Sequence, residues 1–138
     1  MKYKLIEHTA DFGIHVFGAS LKELFTNAAL ALSDCITDVQ RLKGSDILEI
    51  HVTGDDLPDL MVNWLREILF LWGGGKELLV KDADILLFSE HEITAGIKAD
   101  PFDSDIHLIK NEIKAVTYHE IQVYEGENGW ESRVLFDI

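Results

Sequence analysis

The stretch His8-Thr9-Ala10-Asp11 interrupts two apolar runs, and the chain closes on Phe136-Asp137-Ile138. Both places set a carboxylate against a strand-like segment. Carboxylate and terminal oxygens are hard donors that suit Ca²⁺, Mg²⁺ or Mn²⁺. If the first and last strands are neighbours, Asp11, Asp137 and the α-carboxylate of Ile138 converge, and like charges so close require either a cation or raised pKa values. Two solvated strand ends are the competing reading, and spacing alone leaves both open.

Other chemistry has less support. Gly73-Gly74-Gly75-Lys76 invites a phosphate-loop reading, but Glu77 follows the lysine and the glycines end a helical pattern, so a flexible helix exit is expected. The six histidines, His8, His15, His51, His91, His107 and His119, show no i, i+4 pairing, and the single cysteine, Cys35, excludes a multi-cysteine zinc site. No Gly-x-Ser-x-Gly nucleophile turn occurs. Trp64 and Trp72 share a stripe with other large apolar residues, which points to core packing and not to a stacking platform.

The elements that must position the carboxylates can be read from periodicity. Tyr3–Ile6 and Gly13–Gly18 are strand-like on either side of the break. Ser20-Leu21-Lys22-Glu23 matches a capping box, and Leu21, Leu24, Phe25, Ala28 and Leu32 give one apolar helical face that should pack on a sheet. Residues 47–53 form a further strand. Asp56 caps a second helix with Pro58 in its first turn and a stripe of Leu57, Leu60, Met61, Trp64, Leu65, Ile68, Leu69 and Trp72. Strands are expected at 78–80, 84–89, 92–98, 112–124 and 130–136, and residues 99–107, with three aspartates and Pro101, as a surface loop. No internal repeat or linker is visible. The fold class is α+β: one domain over 1–138, with two long helices packed on an extensive, mainly antiparallel β-sheet.

The 138 residues are 47% apolar and 27% charged, a globular composition, and the formal charge is −13. Such a surface repels phosphate, which argues against unaided RNA binding and favours a basic protein or a cation as partner. One cysteine fits a reducing compartment, and no apolar run is long enough to cross a membrane, so a cytoplasmic protein is expected.

The chain also resembles the archease family. His8-Thr9-Ala10-Asp11 with Gly13-Ile14, Leu24-Phe25 with Ala28-Ala29, the run Leu60–Leu71, Ile113–His119 and the terminal Phe136-Asp137-Ile138 are similar to its blocks, in the same order and across essentially the whole chain. Ala99-Asp100 stands where the family usually has Gly-Glu. The resemblance implies an accessory protein, not itself an enzyme, that activates the GTP-dependent RNA ligase of the RtcB family in tRNA splicing and RNA repair. It would promote guanylylation of the ligase, support multiple turnover and broaden nucleotide use, meeting RNA only through the ligase. The resemblance also implies a divalent cation, Ca²⁺ foremost with Mg²⁺ or Mn²⁺ as alternatives, held by Asp11, Asp137 and Ile138. His8, Lys114 and His119 would be neighbours of that site or partner contacts. A chaperone-like modulator of a tRNA methyltransferase is the alternative function, and a stand-alone metal-dependent enzyme the third.

Overall fold

Both helices begin with the same construction. Strand β2 (Asp11–Gly18) runs through Ala19 and Ser20 into α1 (Leu21–Ile36), and strand β3 (Asp46–Thr53) runs through Gly54, Asp55 and Asp56 into α2 (Leu57–Gly73). In the first turn Ser20 accepts from the Glu23 N–H (3.2 Å) while the Glu23 carboxylate accepts from the Ala19 N–H (3.3 Å). In the second, Asp56 accepts from the Asp59 N–H (2.9 Å) and Asp59 from the Asp55 N–H (2.8 Å). Each pair satisfies helix N-terminal donors reciprocally. One turn further, Asn27 donates to the Phe17 carbonyl (2.8 Å) and Asn63 to that of Thr53 (2.9 Å), tying each helix back to its own strand. The repeat that inspection of the sequence did not reveal is therefore a repeat of turn chemistry.

The computed structural model describes residues 2–8 and 11–138; Thr9 and Ala10 of the HTAD stretch lie outside the described residues. Besides the elements above it contains β1 (Tyr3–His8), β4 (Leu78–Phe88), β5 (Glu92–Pro101), β6 (Ala115–Val116), β7 (Gln122–Gly126) and β8 (Gly129–Asp137). The strands form two antiparallel sheets. One has the order β1-β2-β8-β6, with β7 also pairing with β8; the other is β3-β5-β4.

The expected helical faces are buried, with Leu21, Leu57 and Trp72 partly so at their ends, but so are Ala29, Ala31, Val62 and Leu71 outside the expected stripes. The reason is that α1 packs on β2 of one sheet and on β4 of the other, while α2 touches β3, β4 and β6. A helix covered on two sides becomes apolar on most of its circumference. Trp64 is fully buried and donates its indole N–H to the Phe25 carbonyl at 2.8 Å, which locks the helices to each other.

Three expectations need correction. The two strands expected at 78–80 and 84–89 are one strand, β4, with register irregularities between Val80 and Asp82 and between Ile85 and Leu87. The long strand expected at 112–124 is broken into β6 and β7, because Tyr118 leaves the sheet to donate to Asp59 (2.6 Å) beneath the Arg66 guanidinium, 4.6 Å from its ring centroid. Glu120, with φ of 55°, then turns the chain back towards the sheet. Finally, the loop expected from residue 99 starts later: Ala99, Asp100 and Pro101 complete β5, and Ala99 and Asp100 are buried.

Candidate functional site

Strand register decides which ends of the chain meet. Asp11 is the first residue of β2 and faces His8, the last of β1, across the hairpin. Phe12 pairs with Phe136 of β8, so the next step of the same register sets Asp11 beside Asp137. It is thus the second strand, not the first, that neighbours the last. Phe12 and Phe136 are buried, with ring centroids 6.4 Å apart, and alternation turns Asp11 and Asp137 to the opposite, exposed face.

The other side of β8 carries Lys114. Ala115 pairs with Asp137, and the Lys114 N–H donates to the Asp137 carbonyl at 2.8 Å, which brings Lys114 to the level of Ile138. The Arg66 side chain fixes this short strand by donating to the Val116 carbonyl at 3.1 Å. Arg66, Lys114 and Ala115 also line an open groove of about 480 Å³ whose walls include Leu69, Phe70 and Ile113. Phe70 is half exposed there, an apolar contact point beside the strand ends.

Directly opposed residues of an antiparallel pair have Cβ atoms about 4.5–5.5 Å apart. Like charges placed directly opposite one another on such a pair are mutually destabilising. Among the described residues neither Asp11 nor Asp137 has a salt-bridge partner. An exposed, uncompensated pair of hard-oxygen donors fits a divalent cation. Among the described residues no three His, Cys, Asp or Glu side chains gather as a metal-binding group, so the expected set needs the Ile138 carboxylate as its third anion. The backbone of His8 stands in the same row as Asp11. His119 does not join: it lies on the turn between β6 and β7, its side chain 68% exposed and 3.9 Å from Glu120.

A second charged cluster was hidden in the segment expected as a loop. Asp100 accepts backbone N–H bonds from Lys43 (2.7 Å), Gly44 (2.5 Å) and Ser45 (3.1 Å), with the buried His107 ring 3.9 Å away. The Asp103 N–H donates to Nδ1 of His107 at 3.0 Å, which leaves Nε2 to face Asp100. Burial alone would raise the Asp100 carboxyl, yet the three N–H donors and His107 outweigh it and hold the group below the usual carboxylate range. The alternation of buried Ile93, Ala95, Ile97 and Ala99 was the available signal that β5 continues to this point.

A model of the archease protein family matches residues 3–138. This chain belongs to the archease family. It is 33% identical to the protein archease of Methanosarcina acetivorans over 149 aligned residues, covering 99% of this chain and 96% of that protein. The Saccharolobus islandicus archease is 36% identical, with 99% and 98% covered, and the archease-like protein of Drosophila melanogaster 34% identical, with 100% and 91% covered. The solution structure of Methanobacterium thermoautotrophicum protein 1598 superposes with a TM-score of 0.81 at 25% identity, covering 99% of both chains. The crystal structure of a Thermotoga maritima archease, described as a possible chaperone, shares the fold with a TM-score of 0.64 at 21% identity, covering 98% and 96%. The archease fold thus comprises these two helices on antiparallel sheets. Among the described residues no helix is long and apolar enough to cross a membrane.

Proposed function

We propose that this archease is a metal-binding accessory protein that activates a GTP-dependent RNA ligase of the RtcB family in tRNA splicing and RNA repair, promoting ligase guanylylation and repeated turnover. The observation that carries the reading is the exposed Asp11 beside Asp137 at adjoining strand ends, neither with a salt-bridge partner among the described residues, with Lys114 alongside. Asp11, Asp137 and the Ile138 carboxylate would hold a divalent cation, Ca²⁺ foremost and Mg²⁺ or Mn²⁺ otherwise. Such an ion supplies charge neutralisation and an anchor for phosphate oxygens. The residues around it have separate work: the strands present the carboxylates at the molecular edge, Lys114 offers a cation to the partner, and the groove under Phe70 accepts an apolar side chain. The net charge of −13 suits approach to a basic RNA-handling surface.

Asp11→Asn and Asp137→Asn should each lower calorimetric Ca²⁺ affinity by at least about tenfold, since even indirect supports of a metal site are worth about 10–100-fold. Both should lose stimulation of ligase guanylylation and keep the wild-type circular dichroism spectrum. Converting the Ile138 carboxylate to an amide should act in the same direction. Unchanged Ca²⁺ titration in both aspartate variants would remove the metal site; normal titration with no effect on any ligase would remove the partner. The second reading, a chaperone-like modulator of a tRNA methyltransferase, draws on the description of the Thermotoga maritima relative as a possible chaperone. It requires methyltransferase solubility or site choice to change in a manner indifferent to both substitutions.

A further inference from the structure

The sheet β3-β5-β4 buries one face against the helices through Ile50, Val52, Ile93, Ala95, Ile97, Ala83 and Ile85. The end of its other face is covered at Asp100 by the Lys43–Ser45 segment, while the middle of that face is open. Register sets Glu49, Gly96 and Asp84 in one row across the three strands, flanked by the rows Ile47, Lys98, Asp82 and His51, Thr94, Leu87. Ile47 and Leu87 are 77% and 67% exposed. At the centre, a Cβ added to Gly96 would meet nothing within 4 Å, so no packing inside this chain demands a glycine there. A glycine in a strand interior costs stability and goes with a bulge, a tight bend or the close approach of another group; the register irregularities of β4 lie on either side of Asp84, not at the Asp84–Gly96 pair itself. The missing side chain of Gly96 leaves an open trough of about 350 Å³ between Asp84, Asp82, Lys98 and Ile47.

We propose that an arginine side chain from a basic segment of a partner protein lies over Gly96 at the edge of this trough, with Asp84 of the trough wall on one side and Glu49, outside the trough but in the same row, on the other. The flanking strands lie two inter-strand spacings apart, about 9.5 Å. That separation admits a planar guanidinium with a carboxylate at either end, and Arg suits it because its fork can bond both sides at once. Among the described residues Glu49, Asp82 and Asp84 have no salt-bridge partner, whereas Glu92 is already paired with His51 at 3.1 Å. Ile47 and Leu87 give apolar contact to the flanking residues of an extended segment. A second copy of this chain, also at −13, would bring like charges together, and a nucleic acid would be repelled. The surface is on the other sheet from Asp11 and Asp137, and the proposal stands whether or not the ligase reading does.

The test is an ¹⁵N NMR titration with the capped peptide Val-Arg-Val-Arg-Val and its lysine counterpart. Shifts should centre on the amides of Glu49, Asp84, Gly96 and their neighbours, with the arginine peptide binding more tightly. Gly96→Leu keeps every charge and fills the trough; it should weaken binding by at least tenfold, Gly96→Ala by less, and Asp84→Asn with Glu49→Gln by a comparable factor. Glu127→Gln, in the exposed turn between β7 and β8 of the other sheet, should leave peptide binding unchanged. Shifts spread evenly over the acidic surface, equal affinity for Gly96→Leu, or no binding to the wild type would each overturn the proposal. So would self-association in sedimentation with shifts confined to this face, which would make the occupant a second copy.

Discussion

Asp100 shows how one side chain can hold three segments. Its two oxygens gather the N–H groups of Lys43, Gly44 and Ser45, and His107 closes the other side. Asparagine keeps the shape but offers one acceptor oxygen and turns an NH₂ group towards those donors. Asp100→Asn should therefore cost about 1–3 kcal/mol at pH 7, read from urea midpoints. The sign of the pH dependence follows from the lowered pKa. The carboxylate stabilises fully above the unfolded-state value of about 3.9 and loses that contribution as pH falls through the lower native value. The gap between wild type and variant should be constant from pH 7 to 5 and narrow below about pH 4. A gap independent of pH down to 2.5 would show that the charge of Asp100 does not matter.

The strand-to-helix turns make a prediction at the scale of elements. A Cβ on Gly18 would sit 2.4 Å from the Leu24 nitrogen, and one on Gly54 2.6 Å from that of Leu60. Both contacts are with backbone at a helix N-terminus, which cannot swing aside. Gly18→Ala and Gly54→Ala should each destabilise by about 1–3 kcal/mol or more, as overpacked sites do. The two asparagines, by contrast, should differ. Asn27 is buried and its bond to the Phe17 carbonyl part-buried, so Asn27→Ala removes a donor where water has less access, whereas the Asn63 bond is exposed and water can replace it. The larger loss for Asn27→Ala should appear in thermal midpoints of the two variants measured side by side; equal losses would mean that burial does not separate the turns.

On the scale of the whole molecule, two sheets enclose a pair of helices in one continuous core while the surface carries a formal charge of −13. That net charge disfavours approach by a polyanion. The protein alone should give no gel shift with tRNA at about 150 mM salt, a concentration at which specific RNA binders still retain their ligands. Tight, salt-sensitive retardation would contradict this and would point to a local cationic surface that outweighs the net charge.

Local patterns in the sequence were enough for the two helices, their caps and the α+β class. Ser20 with Glu23, Asp56 with Pro58, and apolar residues at helical spacing state their structure within a few residues, because helix hydrogen bonds and caps are local. Asp11 and Asp137 stood out by type and by position at strand boundaries. Their adjacency was not legible, since it depends on β2 and not β1 lying beside β8, a pairing between segments more than a hundred residues apart. The same limit explains the misplaced strand at 112–124, whose course is set by Tyr118 reaching Asp59 on α2. It also explains the burial of Asp100, whose partners come from the segment before β3. Period and capping are properties of a short stretch of chain, whereas register and enclosure are decided by which distant surfaces best bury one another, and only the tertiary structure records that choice.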